Sequence, residues 1–215
     1  MQYNGKKVPS VVIKRLPRYY RYLGEFLQQD IKRISSGVLS EKMNVTASQI
    51  RQDFNYFGGF GQQGYGYNVE HLYLEIGKIL GLHEEYKTMI VGAGHLGHAL
   101  AAHTGFAKRG FQLSGIFDVA PEVVGTKIGE LVVRHIDEME QFVRENKIEI
   151  AILATPRGAT QEMANRLVDC GIKGLWNFSN VELKLDRPVA VENVHMSDSL
   201  MTLSCKIKQE SKIGE

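Results

Sequence analysis

A chain of 215 residues that is 43% hydrophobic and 23% charged has ample apolar material for one or two globular domains, which excludes a disordered or fibrous protein. No apolar run approaches the ~18 residues that cross a bilayer, and the first ten residues, MQYNGKKVPS, lack the apolar centre of a signal peptide, so a cytoplasmic location and no membrane partner are expected. The net charge of +2 is unevenly spread: residues 1–67 hold ten Lys/Arg against four Asp/Glu, residues 68–215 sixteen against twenty, so a basic first third suited to a polyanion, or merely to a solvated face, precedes a mildly acidic remainder.

In chain order, residues 1–80 read as a small helical domain. Pro17 suits the first turn of a helix through Gln29, with Tyr20, Leu23, Phe26 and Leu27 on one face. Ser36 can cap a second helix, Gly37 to Met43, and Asn44-Val45 makes a tight turn. Thr46-x-x-Gln49 is a capping box that opens a third helix, Ala47 to about Tyr56. Helices joined this tightly suggest a helix-turn-helix. The third helix opens with Ala47, Ser48 and Gln49 and continues with Arg51 and Gln52, short or hydrogen-bonding side chains at the end that enters a major groove; Gln pairs with adenine, and Arg with guanine or phosphate. Ile50, Phe54 and Phe57 fall on the opposite, core stripe, and Asp53 reads as a helix salt-bridge partner rather than a base reader.

Capping boxes open many ordinary helices, so the next segment matters. Phe57-Gly-Gly-Phe-Gly-Gln-Gln-Gly-Tyr-Gly-Tyr67 alternates glycine with aromatics around a Gln62-Gln63 tip, as a β-hairpin wing would, with Phe60, Tyr65 and Tyr67 anchoring it to the helices. The plainer reading is a glycine-rich connector. A wing tip lies along a minor groove or a phosphate run. The DNA-contact candidates are therefore Arg15, Thr46, Ala47, Ser48, Gln49, Arg51, Gln52, Tyr56, Phe57, Gly58, Gln62, Gln63, Gly64 and Tyr65. Asn68 then caps a linker helix, Val69 to Leu80, striped by Leu72, Ile76 and Ile79, and Gly81 ends it near a domain boundary.

Within residues 81–195 the informative stretch is MIVGAGHLGHAL, Met89 to Leu100: an apolar strand enters Gly92-x-Gly94-x-x-Gly97 and an Ala-rich helix follows, the context in which this pattern means dinucleotide binding. Gly92 allows the tight turn, Gly94 admits a pyrophosphate and Gly97 lets helix and strand pack, with Ala93, His95 and Leu96 beside the phosphates. A second strand, Gln112 to Phe117, ends in Asp118, 21 residues beyond Gly97, where an acid that bonds the ribose hydroxyls belongs. Its charge repels a 2′-phosphate, which favours NAD(H) over NADP(H).

Short apolar strands then alternate with amphipathic helices, near Leu131 to Val133, Ile148 to Ala154, Gly174 to Phe178 and Val189 to Val191, the pattern of a doubly wound parallel sheet. Thr155-Pro156 and Asn177-Phe178 fall at its carboxyl edge, in the ligand crevice or as strand-ending turns. Cys170 and Cys205 lie outside any Cys-x-x-Cys or His-rich cluster, so neither a disulfide framework nor a metal site is expected. Residues 196–215 supply one helix, Ser197 to Lys208, with Leu200, Leu203 and Ile207 at helical spacing, packed on its own domain or seeking a partner subunit. Catalytic chemistry is thinly represented: the one Tyr-x-x-x-Lys is Tyr3 to Lys7, no nucleophile elbow occurs, and His95, His98, His103 and His195 are the redox candidates. No catalytic residue is assigned.

With a winged helix, a linker helix, a Rossmann NAD-type domain and a terminal helix in this order, the chain resembles the Rex family of redox-sensing transcriptional repressors. The similarity runs from Lys14 to Leu203 and is most specific in Lys14-Arg-Leu-Pro17, Gln49-Ile-Arg-Gln-Asp53, Tyr56-Phe57-Gly58, Gly64-Tyr-Gly-Tyr67 and Gly171-Ile-Lys-Gly174. The resemblance implies a homodimer with exchanged terminal helices, NAD(H) as regulatory ligand, and a palindromic operator from which NADH releases the protein while NAD+ permits binding. His103 stands where such proteins often carry a Tyr beside the nicotinamide, and His195 where some carry an Asp. The alternative expectation is an NAD-dependent oxidoreductase with a helical dimerisation domain.

Overall fold

The protein is described by a computed structural model over residues 2–3, 6–58, 60–62 and 65–210. Its contacts divide it into two compact units, Met1–Glu84 and Glu85–Glu215.

The first unit opens with a short antiparallel pair, β1 (Gln2–Tyr3) and β2 (Lys6–Lys7). Helix α1 (Ser10–Gln28) follows, with Pro17 inside it and not in its first turn. The stripe Val12, Leu16, Tyr19, Leu23 and Phe26 is buried at helical spacing on both sides of Pro17. Burying it outweighs the one backbone bond that a proline forfeits, and the ring itself is exposed. Strand β3 (Arg33–Ile34) leads into α2 (Ser36–Met43). The cap of α2 is Ser35, not Ser36: Ser35 is extended, and its hydroxyl accepts from the Val38 N–H. Asn44, left-handed at φ 52°, makes the expected turn.

Helix α3 (Ala47–Asn55) is capped by Thr46, whose Oγ1 accepts from the Gln49 N–H at 3.1 Å. Only this half of the capping box forms, because the Gln49 amide turns to Asp53. Ile50, Phe54 and Phe57 are core. Strands β4 (Gly61–Gln62) and β5 (Gly66–Asn68) make the wing and, with β3, a sheet ordered β3-β5-β4. Tyr67 is buried and Phe60 half-buried, edge-on to Phe54; Tyr65, 69% exposed, does not anchor the wing. Arg33 lies over its ring and donates to its carbonyl, so the tyrosine is held on the outside. Helix α4 (Val69–Ile79), capped by the Asn68 side chain, closes the unit through Leu72 and Ile76.

The second unit contains β6 (Tyr86–Val91), α5 (His95–Ala101), β7 (Phe111–Asp118), β8 (Lys127–Ile128), β9 (Leu131–His135), α6 (Met139–Asn146), β10 (Ile150–Leu153), α7 (Arg157–Asp169), β11 (Gly174–Asn177), β12 (Ala190–Asn193) and α8 (Met196–Glu210). The sheet order is β12-β11-β10-β6-β7-β9-β8, parallel throughout except for β8 against β9. Successive residues alternate between two cores: Met89, Val91, Phe117 and Leu153 with α6 and α7 on one face, Ile90, Ile116 and Ile152 on the other. The chain runs from β6 to β7 on one side and later returns to place β10 on the other. That reversal opens a crevice at the carboxyl end of β6.

Candidate cofactor and nucleic-acid sites

The pairing register brings Val91, Phe117 and Leu153 level, and Leu153 with Asn177. The residues that follow these strand ends therefore share one rim. Gly92 has φ +100°, and a Cβ there would lie 2.5 Å from the Ala154 carbonyl oxygen; one on Gly97 would run into the Gly92 carbonyl. Both positions are closed to side chains by the protein's own backbone. Gly94 differs, with φ −66° and nothing within 4 Å of a Cβ, so what it keeps clear is space above the strand ends. Ala93 is buried, His95 exposed and Leu96 half-buried in the first turn of α5.

Asp118 Oδ2 accepts from the Ala93 N–H at 2.6 Å, while Oδ1 accepts from the Val119 and Ala120 N–H groups. The carboxylate thus clamps the glycine turn, and a two-oxygen acceptor with about four lone-pair sites keeps room for a hydroxyl. Thr160 Oγ1 donates to the Pro156 carbonyl, leaving the Thr155 hydroxyl to donate to Thr160 at 3.0 Å. This closes the first turn of α7 beside Gly92, with Pro156 exposed on the rim.

Asn177 reaches the same edge but faces inward. Its Nδ2 donates to the Val181 carbonyl and Asn193 Oδ1, and its Oδ1 accepts from the Ser179 N–H and hydroxyl. Phe178 meets Trp176 at 4.6 Å, Trp176 meets Phe106 at 5.5 Å, and Phe106 stacks on the His103 ring at 4.4 Å. His103 and Phe178 are therefore the ends of one aromatic run. Its middle members went unpredicted, although Trp176, the sole tryptophan, directly precedes Asn177-Phe178. His195 Nδ1 lies 3.3 Å from Asn180 Oδ1.

In the first unit, Ser48, Arg51 and Gln52 are exposed along α3 with Thr46 at its start, and Ala47 and Gln49 are half-buried. Arg51 Nη1 donates to the Ser36 hydroxyl, tying the outer face of α3 to α2. Asp53 is fully buried. Arg15 meets it side-on with two bonds of 2.7 Å, the Tyr19 hydroxyl donates at 2.8 Å and Gln49 Nε2 at 2.9 Å. The hydrogen bond to Asp53 raises the Arg15 pKa, and burial first, then the bond to Asp53, pushes the Tyr19 phenol well above its ordinary range. The Phe57 ring is core, edge-on to Tyr3; Tyr56 is half-buried and Gly58 exposed at φ +112°. Gln62 lies in β4, while Gln63 and Gly64 fall outside the described residues.

Residues 7–55 match the family model described as putative DNA-binding protein N-terminus, and residues 83–181 that described as CoA binding domain. The redox-sensing transcriptional repressor Rex of Thermoanaerobacter pseudethanolicus is 57% identical over 204 residues, 95% of this chain and 91% of that one. The Clostridioides difficile protein of the same name is 52% identical over 205 residues, 95% and 98% of the two chains. The chain belongs to the Rex family.

Rex membership sets aside the oxidoreductase alternative, because these relatives are named as transcriptional repressors. Two crystal structures of the Rex-family repressor RSP match across both units. One, in complex with β-NADH, has a TM-score of 0.90 and 52% identity, covering 97% of this chain and 98% of that one. The other, in complex with β-NAD+ and operator DNA, has a TM-score of 0.89 and 55% identity, covering 97% and 96%.

Proposed function

We propose that the chain is a cytoplasmic, homodimeric repressor that binds a palindromic operator through its first unit and reads the NADH/NAD+ balance through its second, NADH releasing it from DNA. The observation that carries this reading is a pair of ligand states in a relative: RSP is known with NADH, and with NAD+ and operator DNA together. The rim around Gly94 supports the cofactor assignment, since it is open where a pyrophosphate would approach and closed at Gly92 and Gly97. CoA and NAD share an adenosine diphosphate, so the second family model agrees with it.

Ala93, Gly94, His95 and Leu96 hold the pyrophosphate in this proposal, and Asp118 the adenosine ribose. His103, Phe178 and His195, with Thr155 and Pro156, face the nicotinamide end. Only that end differs between the redox forms. To move the operator from mostly bound to mostly free, NADH must favour the released state by about 5 kcal/mol, roughly 10⁴-fold.

Fluorescence anisotropy of a labelled palindromic duplex, at fixed salt, tests the whole. NADH is expected to release the duplex and NAD+ to leave it bound. Binding that neither cofactor alters would remove NAD(H) as the effector, and no binding at all would remove the DNA role.

A further inference from the structure

Asp53 is an expensive residue to bury: an ion pair in a core is no more stable than well-packed apolar side chains of the same volume. Yet here the carboxylate is completely occupied. Oδ1 accepts from Arg15 Nη2 and Gln49 Nε2, and Oδ2 from Arg15 Nε and the Tyr19 hydroxyl, two bonds to each oxygen. A carboxylate only accepts. It therefore dictates which end of the Gln49 amide turns inward: the nitrogen. Gln49 sits in the first turn of α3, at the border between the buried Ile50 and Asp53 and the exposed Ser48 and Gln52. Among the described residues nothing takes its second N–H or its Oε1.

An unrestrained glutamine amide flips and exchanges donor for acceptor. With one N–H fixed on Asp53, Gln49 offers one donor and one acceptor in a set order. Adenine presents the matching pair in the major groove, an N7 acceptor beside an N6 donor, whereas guanine presents two acceptors and would set O6 against Oε1. We propose that Asp53 is a positioning residue for base recognition, holding the Gln49 amide in the orientation that selects adenine in each operator half-site. This rests on α3 being the helix that reads DNA.

The test is anisotropy with the full-length protein and duplexes in which each half-site adenine is replaced in turn by 7-deazaadenine, which lacks the N7 acceptor. Wild type is expected to lose about tenfold in affinity at one adenine, the lower part of what a bidentate base contact contributes. Gln49→Ala should abolish the penalty at that adenine alone. Asp53→Asn should reduce it to within about twofold while penalties elsewhere persist, and Tyr19→Phe, which spares the Gln49 bond, should keep it. A purely structural Asp53 would weaken binding at every position alike and leave the adenine penalty in place, which overturns the proposal. So would an unchanged penalty in Gln49→Ala.

If Asp53→Asn does not fold, Gln49→Glu decides. It sets a carboxylate against Asp53, turns outward with acceptors only and should shift the preferred base from adenine to cytosine; retained adenine preference overturns the proposal. Should Arg51→Ala and Gln52→Ala also leave operator affinity intact, the recognition-helix reading itself has failed and the proposal falls with it.

Discussion

At Gly92, Gly94 and Gly97 one motif carries two separable demands. Gly97 and Gly92 abut backbone, so a methyl at either must move the chain, whereas Gly94 has allowed dihedrals and open space. Gly94→Ala should therefore keep its thermal stability within about 0.5 kcal/mol of wild type yet weaken NADH binding at least ~10-fold by calorimetric titration, a loss of about 1.4 kcal/mol. Gly97→Ala should lose stability as well. Equal stability losses in both would mean that Gly94 is a folding residue.

Asp118 makes a second residue-scale test. Its variant Asp118→Ala frees the Ala93 N–H and removes the proposed ribose acceptor, so NADH and NAD+ should weaken by the same factor. An unaltered NADH titration would remove the ribose role. These residues were legible because their spacing and their placement after strands are local features. Asp53 was legible as a salt-bridge partner, but its pairing with Arg15 was not, since 38 residues separate them and only the folded helices bring them together.

The same division holds for elements. The long strands, the glycine-turn helix and the wing were visible from apolar runs, capping residues and glycines, and each formed within a few residues of its expected place. β3 and β8 were not, being two residues long and too short to show a period. Pro17 misled because a local rule, proline in the first turn, competes with a stripe of buried residues that continues back to Val12.

Packing between elements brings its own electrostatics, as between α6 and α7, where Arg166 meets Glu140. The hydrogen bond from the guanidinium holds the Glu140 carboxyl below its ordinary range. A depressed carboxyl stabilises the fold above its unfolded value, about pH 4.3, and loses that contribution as the pH falls through the folded value. Glu140→Gln should thus cost about 0.5–1 kcal/mol at pH 7, the range of a partly exposed pair. The difference should vanish as urea titrations are repeated down through acid pH. A gap that persisted in acid would assign the loss to packing and not to charge.

On the scale of the molecule, α8 is a helix that leaves large apolar side chains exposed. Met196, Leu200, Met201, Leu203 and Ile207 are between 52% and 68% exposed along its length, a run of large apolar side chains of the kind that marks a protein interface. The periodicity of this helix was plain in the sequence, but what would cover it was not, because one chain carries no information on its partner's position. A two-fold dimer closed through α8 gives the charge asymmetry a use: two basic units joined in one molecule engage two half-sites, and the second engagement becomes intramolecular. The double variant Leu200→Asp, Leu203→Asp should then sediment as a monomer. Its affinity for a single half-site should match wild type, while its affinity for the full palindrome should fall ~10²-fold or more, the scale of a lost effective concentration. A variant that stays dimeric would place the interface elsewhere. One that becomes monomeric without losing palindrome affinity would mean that the half-sites are bound independently, and that closure of the dimer serves the cofactor unit alone.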